Sequence, residues 1–173
     1  MDVYEFDGQK FYYDKGRWLT SSYMIAPTEI TSRLNMLLIE KEDFSNKSMD
    51  ELLKILDGAK HGNNTQYAVK VAEKALEKAE EVTEIRRLLP RLTSLYRQVG
   101  NPQKAIDIAK EYTDMFNRRV WSQALLTSIA AAYCDQEEYD TAKKFADIAY
   151  ATYGGNSSPE LMGVYERIKR QGR

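Results

Sequence analysis

Residues 96–112 read YRQVGNPQKAIDIAKEY and decide the fold class of this chain. The stretch places Tyr96 before a Gly-Asn-Pro break and only small residues, Ala105 and Ala109, on the helical face that follows. Glycine and proline are the strongest local breakers, so the break separates two helical segments. Small residues let a second helix approach closely, and the Tyr96 ring would fill the space that they leave. The stretch therefore predicts an antiparallel helix pair.

The alanine pattern of this stretch occurs three times at a fixed spacing. The first alanines of the copies are Ala68, Ala105 and Ala142, so both intervals are 37 residues. A second alanine follows each of them four residues later, and a polar break precedes each copy. Self-similarity at such a period is typical of arrays that stack helix pairs to bury a continuous core. The repeating unit is a helix, a short turn and a second helix.

This repeat resembles the tetratricopeptide repeat family of antiparallel helix pairs. The second repeat fills the family's first-helix and second-helix positions with Leu89, Leu92, Thr93, Tyr96, Ala105, Ala109 and Tyr112. The third repeat fills them with Leu126, Ile129, Ala130, Tyr133, Tyr139, Ala142, Ala146 and Ala149. The resemblance implies a mostly α fold, with a TPR-like solenoid over residues 48–173 that ends in a capping helix at 159–170.

Two features depart from the family pattern. The repeat is longer than the usual 34 residues, and Asn117 and Gly154 stand where a proline often ends the unit. Longer second helices would absorb the extra residues. Pro90 also lies inside a predicted helix, where it removes a hydrogen-bond donor and crowds the preceding turn. We expect that helix either to kink at Pro90 or to start late.

The first 47 residues form a different domain in this interpretation. Aromatic and β-branched runs over 3–6, 10–13 and 17–25 are separated by an Asp-Gly pair and by Asp-Lys-Gly, which are hairpin signals. They predict a three-stranded antiparallel β-meander. Such a small sheet is marginal alone, so a predicted helix over 28–42 is expected to cover it or to bridge it to the repeats. Ser48 and Glu51 then form a capping box that begins the next helix.

Composition excludes several classes of function. The formal charge of −1 and the pI of about 6.0 give no global field that favours nucleic acid or an anionic membrane. The chain has neither a signal-peptide pattern nor about 18 consecutive apolar residues. Cys134 is the only cysteine, which leaves no intramolecular disulfide and no multi-cysteine zinc site. These features predict a cytoplasmic protein without a metal or another cofactor.

Catalytic side chains are scarce. His61 is the only histidine and lies in a polar turn, which is typical of an exposed turn residue. Cys134 is followed by acidic residues, whereas a reactive thiol needs an electropositive setting, so a structural cysteine is favoured. The carboxylates along residues 73–84 alternate with lysines and describe a solvated helix face. We therefore expect no enzymatic activity.

Binding is the better-motivated function. The resemblance implies that the first helix of each repeat lines a concave groove, to which the third repeat would contribute Ala124, Thr127, Ala131 and Cys134. In the second repeat, arginine side chains on one stripe suit carboxylate or phosphate acceptors and favour an acidic or C-terminal peptide segment. The alternative pairs Arg87 with Glu84 and leaves the other arginines solvated. The candidate partner-binding residues are Arg87, Arg91, Ser94, Arg97, Gln98, Lys60, Asp57 and Thr127.

The family's chaperone-adaptor role is not implied. Some members clamp the C-terminal carboxylate of heat-shock chaperones with a lysine and an asparagine, and Leu53 and Asp57 stand at those positions here. A protein or peptide partner of another kind remains the main hypothesis. A regulatory module that senses a peptide or small ligand is a weaker alternative.

The aromatic meander offers a second surface. By alternation its aromatic residues cannot all face inward, and outward aromatics are enriched at interfaces between subunits. They could also stack on single-stranded nucleic acid, but the meander carries few cations for that task. A homodimer or structural scaffold is therefore the alternative to groove binding. The aromatic residues are Tyr4, Phe6, Phe11, Tyr12, Tyr13, Trp18 and Tyr23.

Overall fold

Three antiparallel strands begin the chain and confirm the predicted meander. The computed structural model describes residues 1–61, 64–152 and 154–172, apart from the side chains of 59–61. The strands are β1 (Asp2–Phe6), β2 (Gln9–Asp14) and β3 (Arg17–Thr20), in the spatial order β1-β2-β3. Both turns hold consecutive residues at positive φ, as tight hairpins that match the strand twist require. These residues are Asp7, Gly8, Lys15 and Gly16.

The third strand is shorter than predicted. It ends at Thr20, where the backbone turns through Tyr23, a residue with a φ of 58°, before Ile25 forms an isolated bridge to Leu19. The N–H of Thr20 donates to the carbonyl of Met24 at 2.8 Å and closes this turn. Residues 21–25, which the sequence assigned to the end of the third strand, therefore form a loop beside the sheet edge.

The inner face of the sheet contains large buried side chains, namely Tyr4, Phe11 and Trp18. Helix α1 (Thr28–Lys41) follows, and the indole Nε1 of Trp18 donates to Oδ1 of Asn35 on that helix at 2.8 Å. The predicted helix over 28–42 is thus present and contacts the sheet. Because Asn35 is itself buried, this bond satisfies two polar groups that would otherwise lose water unpaired.

Two further helices complete this part of the chain, α2 (Met49–His61) and α3 (Thr65–Lys78). The predicted capping box begins α2, since the N–H of Ser48 donates to Glu51 at 2.7 Å and Ser48 Oγ accepts from the Glu51 N–H at 3.2 Å. Helix α3 packs on α2 and on α1.

Long-range polar bonds fasten the start of α3 to the sheet and to α1. The side-chain amide of Asn64 donates to the Tyr13 hydroxyl at 3.0 Å, and Asn35 donates to Oε1 of Gln66 at 3.1 Å. Burial raises the pKa of the Tyr13 hydroxyl to about 12, the effect of burial exceeding that of the Asn64 bond, so the group stays neutral at physiological pH. These hydrogen bonds, called here the polar network of the N-terminal unit, tie the sheet to α1 and to the start of α3, and α1 to α3.

Contacts divide the chain into two compact units, Met1–Lys78 and Ala79–Arg173, called here the N-terminal and the C-terminal unit. The predicted boundary stood at residue 47, before the first repeat. The observed one follows α3, because α3 packs on α1 and bonds to the sheet. The helices that the repeat pattern assigned to the first repeat thus belong to the same unit as the meander.

The C-terminal unit consists of helices. Each helix packs on its neighbour in sequence, and in addition α6 packs on α4 and α8 packs on α6. The α6–α7 pair therefore packs on the α4–α5 pair through α6, and α8 packs on the α6–α7 pair. The helices are α4 (Val82–Gln98), α5 (Pro102–Phe116), α6 (Gln123–Asp135), α7 (Tyr139–Thr152) and α8 (Pro159–Arg170).

The small residues of the repeat lie in the core, as the opening stretch predicts. Helix α5 packs on α4, and Tyr96, Ala105 and Ala109 are all buried. The corresponding alanines of α7, from Ala142 to Ala149, have no exposed surface. Side chains without bulk allow these helix axes to lie close together, and any larger side chain would have to displace its neighbours.

Helix α4 begins at Val82 and runs through Pro90, so of the two alternatives expected for this helix, a kink or a late start, the late start is wrong. The extra length of the second repeat lies mainly after its second helix. Helix α5 ends at Phe116, a 3-10 turn spans Asn117–Val120, and α6 begins only at Gln123.

Within the described ranges, no helix has the length and apolar character needed to cross a bilayer.

Candidate partner-binding site

Four of the predicted binding residues lie along one stripe of α4, called here the α4 stripe. Arg87 and Gln98 are exposed, whereas Arg91 and Ser94 are half-buried. Their spacing of four, three and four residues places them on the same helical face. The Gln98 side-chain amide donates to Ser94 Oγ at 3.4 Å, which links the end of the stripe. The structure therefore brings these four side chains together at a surface.

The carboxylate of Glu84 has a local role at the start of α4. One of its oxygens accepts the backbone N–H groups of Glu80 and Glu81 at 3.1 and 3.2 Å. These donors lack partners inside the helix, so the carboxylate caps the helix where its dipole favours negative charge. The structure thus assigns Glu84 to the cap, one turn before Arg87.

Arg97 is engaged inside the protein rather than offered to a partner. Its Nε donates to Oδ2 of Asp135 on α6 at 2.6 Å, and Nη2 of Arg167 on α8 donates to Oδ1 of the same carboxylate at 2.8 Å. These three residues are called here the arginine–aspartate clamp. The clamp joins the first helices of successive pairs and explains why Arg97 is only partly exposed.

The clamp sets the ionisation of its carboxyl group. Burial raises the pKa of Asp135, but hydrogen bonds from Arg97 and Arg167 and their charges outweigh this effect. The pKa of Asp135 therefore lies below its usual value, and the group is a carboxylate at physiological pH. One carboxylate shared by two guanidinium groups leaves one net positive charge at this point.

Thr127 lies on α6 with 6% of its surface exposed. Its hydroxyl has no hydrogen-bond partner among the described residues. The next residue behaves differently, because Ser128 Oγ accepts from Thr93 Oγ1 of α4 at 2.9 Å. A buried hydroxyl without a partner carries a desolvation cost that a suitable ligand or a water molecule would relieve.

Among the remaining predicted groove residues of α6, Ala124 is exposed, whereas the other two do not lie on an open surface. Ala131 and Cys134 are buried in a core cluster with residues from α7 and α8, so the expectation that they line a groove is wrong. The reason is that α8 packs on α6. Burial, and to a smaller extent Asp135, raise the pKa of the Cys134 thiol against the opposing effect of two arginines. Cys134 is accordingly a buried structural cysteine.

Two predicted residues belong to the N-terminal unit. Asp57 is exposed on α2. The side chain of Lys60 lies outside the described residues, as does that of His61. Asp57 and Lys60 thus lie on α2 of the N-terminal unit, whereas the α4 stripe belongs to the C-terminal unit.

A second surface was only partly visible in the sequence. Val3, Tyr12 and Leu19 lie opposite one another on the outward side of the three strands. Tyr23 stacks on Tyr12 with 5.2 Å between the ring centroids, and Ile25 bridges to Leu19. These five residues are called here the outer sheet face. Val3, Tyr23 and Ile25 are 54%, 62% and 74% exposed, which is unusual for large apolar side chains.

Opposite charges flank the outer sheet face on both sides. By strand alternation, the pairs Glu5–Lys10 and Asp14–Arg17 point to the same side as Tyr12. The prediction that the meander aromatics do not all face inward is confirmed. Trp18, however, is 3% exposed and belongs to the inner face.

Sequence reasoning missed the partner of Arg97. The sequence indicates Asp135 only as one of the acidic residues after Cys134, although it ends α6 much as Gln98 ends α4. Gln98 and Asp135 occupy equivalent positions at the ends of α4 and α6, and this equivalence is a signal that could have identified Asp135 as the partner of Arg97.

In the described part of the chain, no group of three or more His, Cys, Asp or Glu residues is arranged to hold a metal ion.

Comparison with protein-family models, with curated proteins and with solved structures gives no match to this chain. The tetratricopeptide resemblance therefore stays a prediction from the repeat pattern.

Proposed function

We propose that the chain is a non-catalytic protein–protein interaction module. The C-terminal unit would be a TPR-like solenoid, and a peptide or protein segment of acidic character would bind along the α4 stripe on its concave face. The observation that carries this proposal is the surface position of Arg87, Arg91, Ser94 and Gln98 on one side of α4. The successive packing of helix pairs supports the solenoid.

The chemistry of the stripe favours an acidic segment. A guanidinium group presents several N–H donors in a planar fork that matches a carboxylate. The hydroxyl of Ser94 and the amide of Gln98 add neutral groups that can bond to the backbone of a bound segment. Thr127 lies buried on the adjacent helix, and its hydroxyl has no hydrogen-bond partner among the described residues. Cytoplasmic location would suit such a module and stays a prediction.

The test uses defined probes. Fluorescein-labelled hexaglutamate, with either a free or an amidated C-terminus, and hexalysine are titrated with the full chain, and fluorescence anisotropy is measured. We expect hexaglutamate to bind and hexalysine to give no signal. The double substitution Arg87→Glu and Arg91→Glu should abolish binding, because it replaces attraction by repulsion. Circular dichroism should show unchanged helicity.

A matched control reverses two other cations. Lys144→Glu with Arg170→Glu, at exposed positions of α7 and α8, makes the same change in net charge away from the α4 stripe and should leave hexaglutamate binding within about twofold, since long-range effects are screened by salt. Equal losses in the two double variants would show that only net charge matters and would reject the site. A preference for the free C-terminus would identify the C-terminal carboxylate as the main ligand group.

The outer sheet face supports a second candidate, self-association with a second copy of this chain. Its apolar strip carries one acidic and one basic residue on each side. A two-fold interface brings identical surfaces together, so it requires charges that are self-complementary. The pairs Glu5–Lys10 and Asp14–Arg17 meet that requirement, whereas a partner of one charge sign would meet repulsion from half of them.

Sedimentation velocity over a wide concentration range tests this candidate. We expect the mass to rise with concentration, and Ile25→Lys or Tyr12→Lys to keep the chain monomeric because each places a charge in the apolar strip. The control is Met115→Lys, at an apolar residue of the C-terminal unit that is 57% exposed. A monomer at all concentrations would exclude the dimer. Trp18 is unsuitable for the test because its substitution would disturb the core.

A further inference from the structure

A surface pocket of about 730 Å³ lies where α5 gives way to the connection before α6. This volume is within the range of about 300–1,000 Å³ that is usual for small-molecule sites. All of its residues belong to the C-terminal unit, and none belongs to the α4 stripe, so the pocket is independent of the proposed function. It is lined by Thr113, Asp114, Asn117, Arg118, Arg119 and Trp121.

Trp121 forms a fixed wall of this pocket. Its indole Nε1 donates to Thr113 Oγ1 at 3.0 Å, and that hydroxyl donates to the carbonyl of Ala109 at 2.8 Å. The indole also packs against the buried cluster shared by α6, α7 and α8. A ring held by two hydrogen bonds in series and by core packing keeps one orientation.

Arg118 is positioned by this ring. Its guanidinium carbon lies 5.0 Å from the centroid of the Trp121 ring, which is a cation–π contact. A guanidinium placed over a ring keeps N–H donors at its edge available to an anion. The side chain is therefore oriented before any ligand arrives.

The backbone before Arg118 is strained. Asn117 has a φ of 57° and a ψ of −152°, a region that residues other than glycine rarely adopt. The strained residue turns the chain sharply out of α5, and Val120 anchors the following turn with no exposed surface. Strain of this kind persists only where the surrounding structure enforces it. Here it directs Arg118 and Arg119 to the pocket.

The pocket carries excess positive charge. Asp114, its single acidic lining residue, bonds to Lys110 at 2.6 Å, so the charge of that carboxylate is offset locally. Neither Arg118 nor Arg119 has a carboxylate partner in the described part of the chain, and both are exposed. Two guanidinium groups thus remain for an anion.

We propose that this pocket binds a phosphate monoester. Such a group carries about 1.5 to 2 negative charges at pH 7 and has three acceptor oxygens, which matches two adjacent guanidinium groups. A single carboxylate carries one negative charge and two acceptor oxygens, so it would leave one of the two positive charges without compensation. The volume exceeds that of a phosphate group, which leaves space for the organic part of the ester beside Asn117 and Thr113.

Isothermal titration calorimetry with the full chain tests the proposal. The probes are phenyl phosphate, inorganic phosphate, benzoate, and a short serine peptide with and without phosphorylation. We expect phenyl phosphate to bind more tightly than benzoate. Arg118→Gln and Arg119→Gln should each weaken phenyl phosphate binding by about tenfold, because each removes charge-assisted hydrogen bonds. Arg86→Gln, at an exposed arginine of α4 outside the pocket, should leave it unchanged.

The arms of the experiment separate the sources of the phosphate group. Tighter binding of the phosphorylated peptide than of phenyl phosphate assigns the pocket to a phosphorylated side chain, and the reverse order assigns it to a free small molecule. Equal binding of benzoate and phenyl phosphate, or equal effects of Arg86→Gln and Arg118→Gln, would overturn the proposal. So would the absence of any heat of binding with the phosphate probes.

Discussion

Replacing Asp135 by asparagine should destabilise the C-terminal unit. The change keeps the shape of the side chain but removes the charge that Arg97 and Arg167 share at 2.6 and 2.8 Å. Hydrogen bonds to charged groups contribute about 1.5–3 kcal/mol when buried, whereas exposed ion pairs contribute about 0.2–1 kcal/mol. Asp135 is one-quarter exposed and lies between these limits. We expect a loss of about 1–2 kcal/mol in the free energy of unfolding.

Thermal unfolding followed by circular dichroism measures this effect. For a domain of about the size of the C-terminal unit, each loss of 1 kcal/mol lowers the Tm by about 4–8 °C. Asp135→Asn should therefore lower the Tm by roughly 5–15 °C at pH 7. The pKa of Asp135 is depressed in the folded state, so the stabilisation is complete above its usual value of 3.8 and is lost as pH falls through the lower folded value. The difference between the two proteins should therefore shrink below pH 3.8.

The matched control is Asp114→Asn. Asp114 bonds to Lys110 at the same distance of 2.6 Å, but both side chains are more than 60% exposed and screened by solvent. This variant should unfold at the Tm of the unmodified chain. If the two asparagine variants had the same Tm at pH 7, or if the effect of Asp135→Asn persisted unchanged at pH 2, the clamp would not have the role that we assign to it.

Three further predictions concern buried positions. Ala109→Leu should cost about 1–3 kcal/mol by overpacking the face of α5 that packs on α4, whereas Ala151→Leu at an exposed site of α7 should not, as urea denaturation can show. Asn35→Leu should cost about 1–3 kcal/mol because it leaves the buried indole N–H unpaired, and the added substitution Trp18→Phe should recover part of that loss in a double-mutant cycle. Cys134 should not react with Ellman's reagent at pH 8 in the folded chain, because burial excludes the reagent and raises the thiol pKa, yet should react fully in urea; rapid reaction of the folded chain would contradict its burial.

Local signals predicted much of the fold correctly. Turn residues between β-branched and aromatic runs identified the meander, and the capping box at Ser48 marked the start of α2. The alanine repeat identified the faces of α5 and α7 that lie in the core. These features depend on neighbours a few positions away, so periodicity and turn chemistry are sufficient to find them.

The rest depends on contacts between distant positions. The boundary after Lys78 follows from bonds that tie the start of α3 to the sheet, and no local pattern shows them. The burial of Ala131 and Cys134 follows from the packing of α8 on α6. The surface position of Arg87 was predictable from helical spacing, but the engagement of Arg97 with a residue 38 positions away was not. Such contacts are decided by tertiary structure rather than by local propensity.

The polar network of the N-terminal unit has a consequence for the order in which the chain is made. Asn64 bonds to Tyr13 across 51 positions. A ribosome adds about 5–20 residues per second, so roughly 3–10 s pass between the synthesis of these two residues. During that interval the meander exists without α3, and a three-stranded sheet that lacks part of its cover is marginally stable and has open strand edges. The strands of the meander are therefore synthesised before the helix to which they bond, and they become stable only when that helix has formed.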